Sequence, residues 1–171
     1  YPDKLNTSAV VLNDGETQGT TSRQGAIVVG LGMVGELTPG GLTSTMADAL
    51  TNYALACLEA ERKRRLAFSE DLAVAQTLAI PVTTLLIGTS GGGLTLPDSL
   101  KSILHGVLQA NRRLSLLEPS KTGDSDREES SDTSLKGFID TVEIVELYRD
   151  RAILAAKALL GLAKAQDFRE R

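Results

Sequence analysis

Gly30-Leu31-Gly32-Met33-Val34-Gly35 is the stretch of this chain whose residue types and spacing come nearest to a phosphate-binding loop. Glycines at that spacing let backbone N–H groups approach an anion, and the helix that follows presents the positive end of its dipole. In the dinucleotide-binding form of the motif the third glycine already lies inside the helix, and an acidic residue ends a second strand about 20 residues on. Here the helix cannot open before Thr38-Pro39, and the chain 20 residues on reads as helix. The spacing fits and the context does not, so no dinucleotide site is expected.

A broader reading survives. A second glycine-rich loop, Gly88-Thr89-Ser90-Gly91-Gly92-Gly93, also lies between an apolar run and a helix. In an open α/β sheet both loops would sit at the carboxyl edge of parallel strands, where ligands bind. The candidate ligand-binding residues are therefore Gly30, Gly32, Gly35, Gly40, Gly41, Gly88, Thr89, Ser90, Gly91, Gly92 and Gly93, and the expected ligand is a phosphorylated small molecule. Asp98 opposes an anion at the second loop, whereas the first has only Glu36 nearby. The same glycines suit tight strand-to-helix turns with no ligand at all, and the residues leave both readings open.

Other chemistry is poorly supported. Cys57 lies on the apolar stripe of one helix and His105 on the polar face of another, with nothing to bring them together as a nucleophile and base. Asp140, Glu143 and Glu146 fit the solvent side of an edge strand better than a metal site. Arg62-Lys63-Arg64-Arg65 reads as a solvated helix end that complements the helix dipole. No catalytic set, metal site or cofactor is expected. A net charge of -4 argues against nucleic acid as a partner, and no apolar run reaches the roughly 18–20 residues of a membrane span. The single cysteine excludes an internal disulfide and fits a reducing, cytoplasmic setting. The chain starts at Tyr1 rather than Met, as a piece of a longer protein would.

The elements that must position these residues follow from periodicity. Ala9-Val10-Val11-Leu12 and Ala26-Ile27-Val28-Val29 read as strands, the first ending at the turn Asn13-Asp14-Gly15, with residues 16–24 as loop. Thr38 suits a helix N-cap and Pro39 the first helical position. Leu42, Met46, Ala49, Leu50, Tyr53, Cys57 and Ala60 then form one apolar stripe. Residues 69–78 suggest a short helix, and Pro81 to Ile87 a central strand. Thr95 and Asp98 are spaced as a capping box, with Pro97 just inside a helix that buries Leu100, Ile103, Leu104, Val107, Leu108 and Asn111. Residues 118–137 read as a mobile acidic loop, Thr141 to Tyr148 as a strand, and Ala152, Ala155, Ala156, Leu159, Leu160 and Leu162 as a final helix. Strands alternating with helices predict one α/β domain over 1–171, layered α/β/α around a mixed, centrally parallel sheet.

The segment Ile27-Val28-Val29-Gly30-Leu31-Gly32, followed by Glu36-Leu37-Thr38-Pro39-Gly40-Gly41-Leu42, resembles the N-terminal domain of cytosolic leucine aminopeptidases, which is similar to the macro (ADP-ribose-binding) fold. Leu86-Ile87-Gly88-Thr89-Ser90-Gly91-Gly92-Gly93 looks like the loop that macro domains wrap around a diphosphate. The resemblance spans about residues 26–115 and implies a macro-like, non-catalytic module that binds a nucleotide-like ligand. The loop over 30–41 lacks the asparagines of ADP-ribose-binding members, and Asp14 is a poor match for their adenine-contacting aspartate. The aminopeptidase metal ligands belong to that family's other domain, so no peptidase activity is implied. Stretches such as Leu37-Thr38-Pro39-Gly40 and Val145-Glu146-Leu147-Tyr148-Arg149-Asp150-Arg151-Ala152 also look like parts of large bacterial multidomain proteins with caspase-like CHAT modules. That likeness implies an accessory role, in which the domain assembles with other domains or protein partners without a ligand.

Overall fold

A computed structural model of the chain describes residues 4–13, 25–67, 77–89, 93–117 and 135–164. The elements run β1 (Ser8–Leu12), β2 (Gly25–Val29), α1 (Pro39–Ala67), β3 (Thr77–Leu85), α2 (Leu96–Leu116), β4 (Lys136–Val145) and α3 (Arg149–Lys164). The fold is α/β. The described strands form two separate pairs rather than one sheet: β1 with β2, antiparallel, and β3 with β4, parallel.

Both long helices begin where their capping residues dictate. Thr38 Oγ1 accepts the Gly41 N–H at 3.1 Å and the Thr38 carbonyl accepts that of Leu42 at 2.9 Å, which opens α1. Thr95 Oγ1 accepts from the Asp98 N–H at 3.2 Å and donates its own proton to Asp98 Oδ2 at 2.6 Å, opening α2. The two helices lie side by side and run the same way. Thr43 Oγ1 of α1 donates to the Ser102 carbonyl of α2 at 3.3 Å, Met46 packs on Gly106, and Asp48 pairs with Arg113. Gly106 makes this approach possible, because a Cβ there would lie 2.6 Å from the Met46 Cβ and 3.1 Å from the Thr43 carbonyl oxygen.

One core joins the helices to both strand pairs. Leu42, Leu50, Leu100 and Ile103 are fully buried, and Val10, Leu12, Ile27, Leu78, Ile80, Val82, Ile139 and Val142 reach them from the strands. Tyr53 and Cys57, one turn apart on α1, belong to this core. Burial, then Cys57, pushes the Tyr53 phenol up to about 12. Cys57 is thus a core residue, as its stripe position implies.

β3 is longer than its sequence suggests. It starts at Thr77, so Thr77 and Leu78 are strand where a short helix over 69–78 was expected; residues 69–76 lie outside the described residues. β4 also starts earlier than expected, at Lys136, and ends at Val145. Tyr148 instead accepts the Ala152 N–H through its carbonyl and caps α3. The acidic loop expected over 118–137 falls mostly outside the described residues, but Lys136 and Gly137 are strand. The pairing register shifts between Ile80 and Pro81, so that Asp140 of β4 has no opposite number. A proline has no N–H to give a ladder and is tolerated at such a bulge. Next to the bulge, the Asn111 side chain of α2 reaches β4. Its Nδ2 donates to the Ile139 carbonyl at 2.9 Å and its Oδ1 accepts the Ile139 N–H at 2.7 Å. Asn111 thus serves Ile139 as a neighbouring strand would.

The far end of α1 runs past the core and is held by its own charges. Arg64 and Arg65 both bond Glu61, at 2.8 Å and 2.9 Å, and Lys63 pairs with Glu59 at 2.7 Å. Three of the four cations of the basic cluster are therefore matched locally by carboxylates, and Arg62 also has a partner. Hydrogen bonds from Arg64, then from Arg65, outweigh partial burial and hold the Glu61 carboxyl down at about 2. Because this value lies below the ordinary 4.5, the unfolded chain binds the proton more tightly. The contribution of Glu61 to stability is complete above pH 4.5 and fades as the pH falls toward 2. Urea melts at pH 7 and pH 3 should show Glu61→Gln costing about 1–2 kcal/mol at pH 7 and clearly less at pH 3.

Candidate functional site

The first glycine loop is braced from the N-terminal side of the chain. Lys4 to Thr7 forms a turn in which the Lys4 carbonyl accepts both the N–H and the hydroxyl of Thr7. Thr7 in turn accepts the Gly30 N–H at 2.8 Å. A Cβ on Gly30 would fall 2.1 Å from the Lys4 carbonyl oxygen, so glycine is required by this contact. Gly30 therefore spends its amide inside the protein. Gly32, at φ +72°, leads into a tight turn that closes on its own carboxylate: Glu36 Oε2 accepts the Met33 N–H at 3.0 Å. An external anion at that amide would have to displace Glu36. Gly41 gives its N–H to Thr38. Gly35 and Gly40 face open space.

The second loop comes up against the first. A Cβ on Gly88 would meet Leu37 of the first loop at 2.7 Å and Leu94 at 3.0 Å, and the Leu94 N–H closes the turn on the Gly88 carbonyl at 3.2 Å. The two turns are therefore neighbours, although β2 and β3 belong to different pairs rather than to one parallel sheet edge, and two buried leucines fill the space between them. Gly93 faces open space, and Ser90, Gly91 and Gly92 lie outside the described residues. The hydroxyl of Thr89 accepts a hydrogen bond from the Arg151 guanidinium of α3. Arg151 is itself held by Glu146, at 3.2 Å, whose other oxygen accepts the Tyr148 N–H at 3.1 Å. Sequence reasoning did not connect Arg151 to this loop. The two are 62 positions apart, and no periodicity links the end of β4 to the end of β3.

A shallow cleft of about 530 Å³ lies beside these loops, between the first turns of α1 and the first half of α2. Gly40, Thr43 and Ser44 line one side and Asp98, Lys101 and His105 the other. Of the sequence-predicted site residues, Gly40 lines this cleft. His105 lies there, about 14 residues' rise along α1 (roughly 21 Å) from Cys57. The two form no dyad. Among the described residues, no group of three His, Cys, Asp or Glu side chains could hold a metal ion. No described helix is long and apolar enough to cross a membrane.

The outer face of the strand layer is of a different character. Alternation sends Leu78, Ile80, Val82 and Val142 into the core and turns Ala79, Pro81, Leu85, Phe138 and Val145 outward. Leu85 is 60% exposed, Phe138 40% and Val145 39%. Val11 and Val28 do the same on the β1–β2 pair. Parallel strands that are apolar on both faces usually have both faces covered. Thr83, Asp140, Thr141 and Glu143 interrupt this outer face and divide it into two apolar ends, Ala79 with Phe138 and Leu85 with Val145. Compared with protein-family models, curated proteins and solved structures, the chain has no match.

Proposed function

We propose that this domain is a non-catalytic assembly module, which docks a neighbouring domain or protein on the outer face of its strands. The observation that carries the reading is the exposure of Leu85, Phe138 and Val145 on the solvent side of a parallel pair. An exposed apolar surface of this kind marks an interaction site more often than a catalytic one. Helices are the usual cover for a parallel pair, so an amphipathic helix with an aliphatic stripe is the fitting partner. The likeness to accessory parts of large bacterial multidomain proteins supports the same reading.

Thiol labelling tests it cleanly, because Cys57 is buried and stays silent. Leu85→Cys and Phe138→Cys should react with a maleimide at the rate of an open thiol in the isolated chain. In whole cells that make the protein natively, both should be protected at least 10-fold relative to the purified chain. Equal reactivity in the two settings would discard the docking face.

A second reading has one observation in its favour, the guanidinium of Arg151 at Thr89. The macro resemblance implies a diphosphate at this loop, and Arg151 would complement it. Leu37, Leu94 and Glu36 oppose it by occupying the space and the amide an anion would use. Titrating the chain with ADP-ribose and with inorganic phosphate should give no saturable heat at millimolar ligand. Saturable heat that disappears in Arg151→Ala would instead establish the ligand-binding module.

A further inference from the structure

We infer that α3 pairs with α3 of a second copy of this chain, antiparallel, about a two-fold axis level with Ala158. The inference concerns a different surface from the strand face and does not depend on it. α3 packs on α2 through one side, where Ala155 is its buried residue. Along its flank runs a second apolar row, Ile153, Ala156, Leu160 and Ala163, all exposed. Ile153 is 47% exposed and Leu160 64%. Their spacings of three, four and three residues are those of a coiled-coil seam, not of a solvated helix face.

The row is self-complementary in one arrangement only. Antiparallel pairing level with Ala158 sets Ile153 against the second copy's Ala163, and Ala156 against its Leu160. Each large side chain then meets a small one, and the symmetry repeats both contacts. A parallel pair would oppose like with like and leave gaps at both alanines. Charge agrees with the antiparallel choice. Asp150 and Lys164, both exposed, flank the seam at its two ends. In this arrangement each Asp150 lies beside the other copy's Lys164, giving two ion pairs. Lys157 flanks the middle and faces its own counterpart, which weakens the pair. A helix of 16 residues offers just over two heptads, less than the ~800 Å² per partner of a standard interface. The dimer is therefore weak and forms only as the chain is concentrated.

Sedimentation equilibrium of the whole chain from 10 µM to 1 mM tests this. The mass should rise from 18.1 kDa toward twice that value. Leu160→Lys should hold the chain monomeric throughout, with an unchanged circular dichroism spectrum. Lys157→Gln should tighten the dimer several-fold. Asp150→Lys should weaken it at least 5-fold, and adding Lys164→Glu to that variant should restore it. Rescue by the charge swap is what general stickiness of the leucines would not produce. A chain that stays monomeric at 1 mM overturns the inference. So does a dimer indifferent to Leu160→Lys but abolished by Phe138→Glu, which would place the contact on the strands.

Discussion

A Gly106→Val chain is expected to be about 3 kcal/mol less stable than the parent in urea unfolding. The new Cβ would stand 2.6 Å from the Met46 Cβ, 3.1 Å from a backbone oxygen and 3.3 Å from the Ala47 nitrogen. None of these atoms lies at the end of a flexible side chain, so relief requires α1 and α2 to separate. Separation loosens the contact that buries Leu42, Leu50, Leu100 and Ile103. Gly161→Ala provides the control. Its Cβ would meet nothing, and in the interior of α3 it should stabilise by about 0.5–1 kcal/mol. Opposite signs from two helical glycines would show that the loss at Gly106 is steric and not a matter of helix propensity.

Asn111→Leu should cost about 2–4 kcal/mol by the same measurement. The substitution is close in volume and keeps the helix, but strands the N–H and carbonyl of Ile139, a residue only 3% exposed. Asn111→Asp offers a finer test. At neutral pH its carboxylate can still accept the Ile139 N–H, yet it faces the Ile139 carbonyl with charge where the amide had a proton to give. Burial and that carbonyl both disfavour ionisation, so the folded chain would bind the proton more tightly than the unfolded one. The stability of Asn111→Asp relative to the parent should accordingly rise as the pH falls below the raised value. A relative stability independent of pH would mean that the Asn111 bonds to β4 contribute little.

What could be read from the residues alone was local. Thr38-Pro39 and Thr95 with Asp98 open the two long helices where expected, because capping chemistry involves groups within four residues. The stripes through Leu42 and Leu50 and through Leu100 and Ile103 were legible for the same reason. The early starts of β3 and β4 were not. Gly137 and the Pro81 bulge break the alternation that marks a strand, and only the pairing across the gap makes Thr77 and Lys136 strand residues. The glycine loops were found, but their role depended on groups far off in sequence. Lys4 and Thr7 take the Gly30 amide, and Arg151 takes Thr89. Asn111 shows the limit most clearly. It could be placed on the buried side of its helix, but nothing in its neighbourhood announces that a strand 28 positions later needs both ends of its amide.

Leu37 and Leu94, which meet over Gly88, also define how near this domain stands to a different occupation. Each contributes a side chain to the hollow where two strand-to-helix turns meet, and neither is fixed there by a polar bond. Shortening both to alanine would vacate a recess floored by glycine backbone and overlooked by the Arg151 guanidinium. Under the ligand-binding reading, an anion would have to displace these two leucines and the Glu36 carboxylate as well.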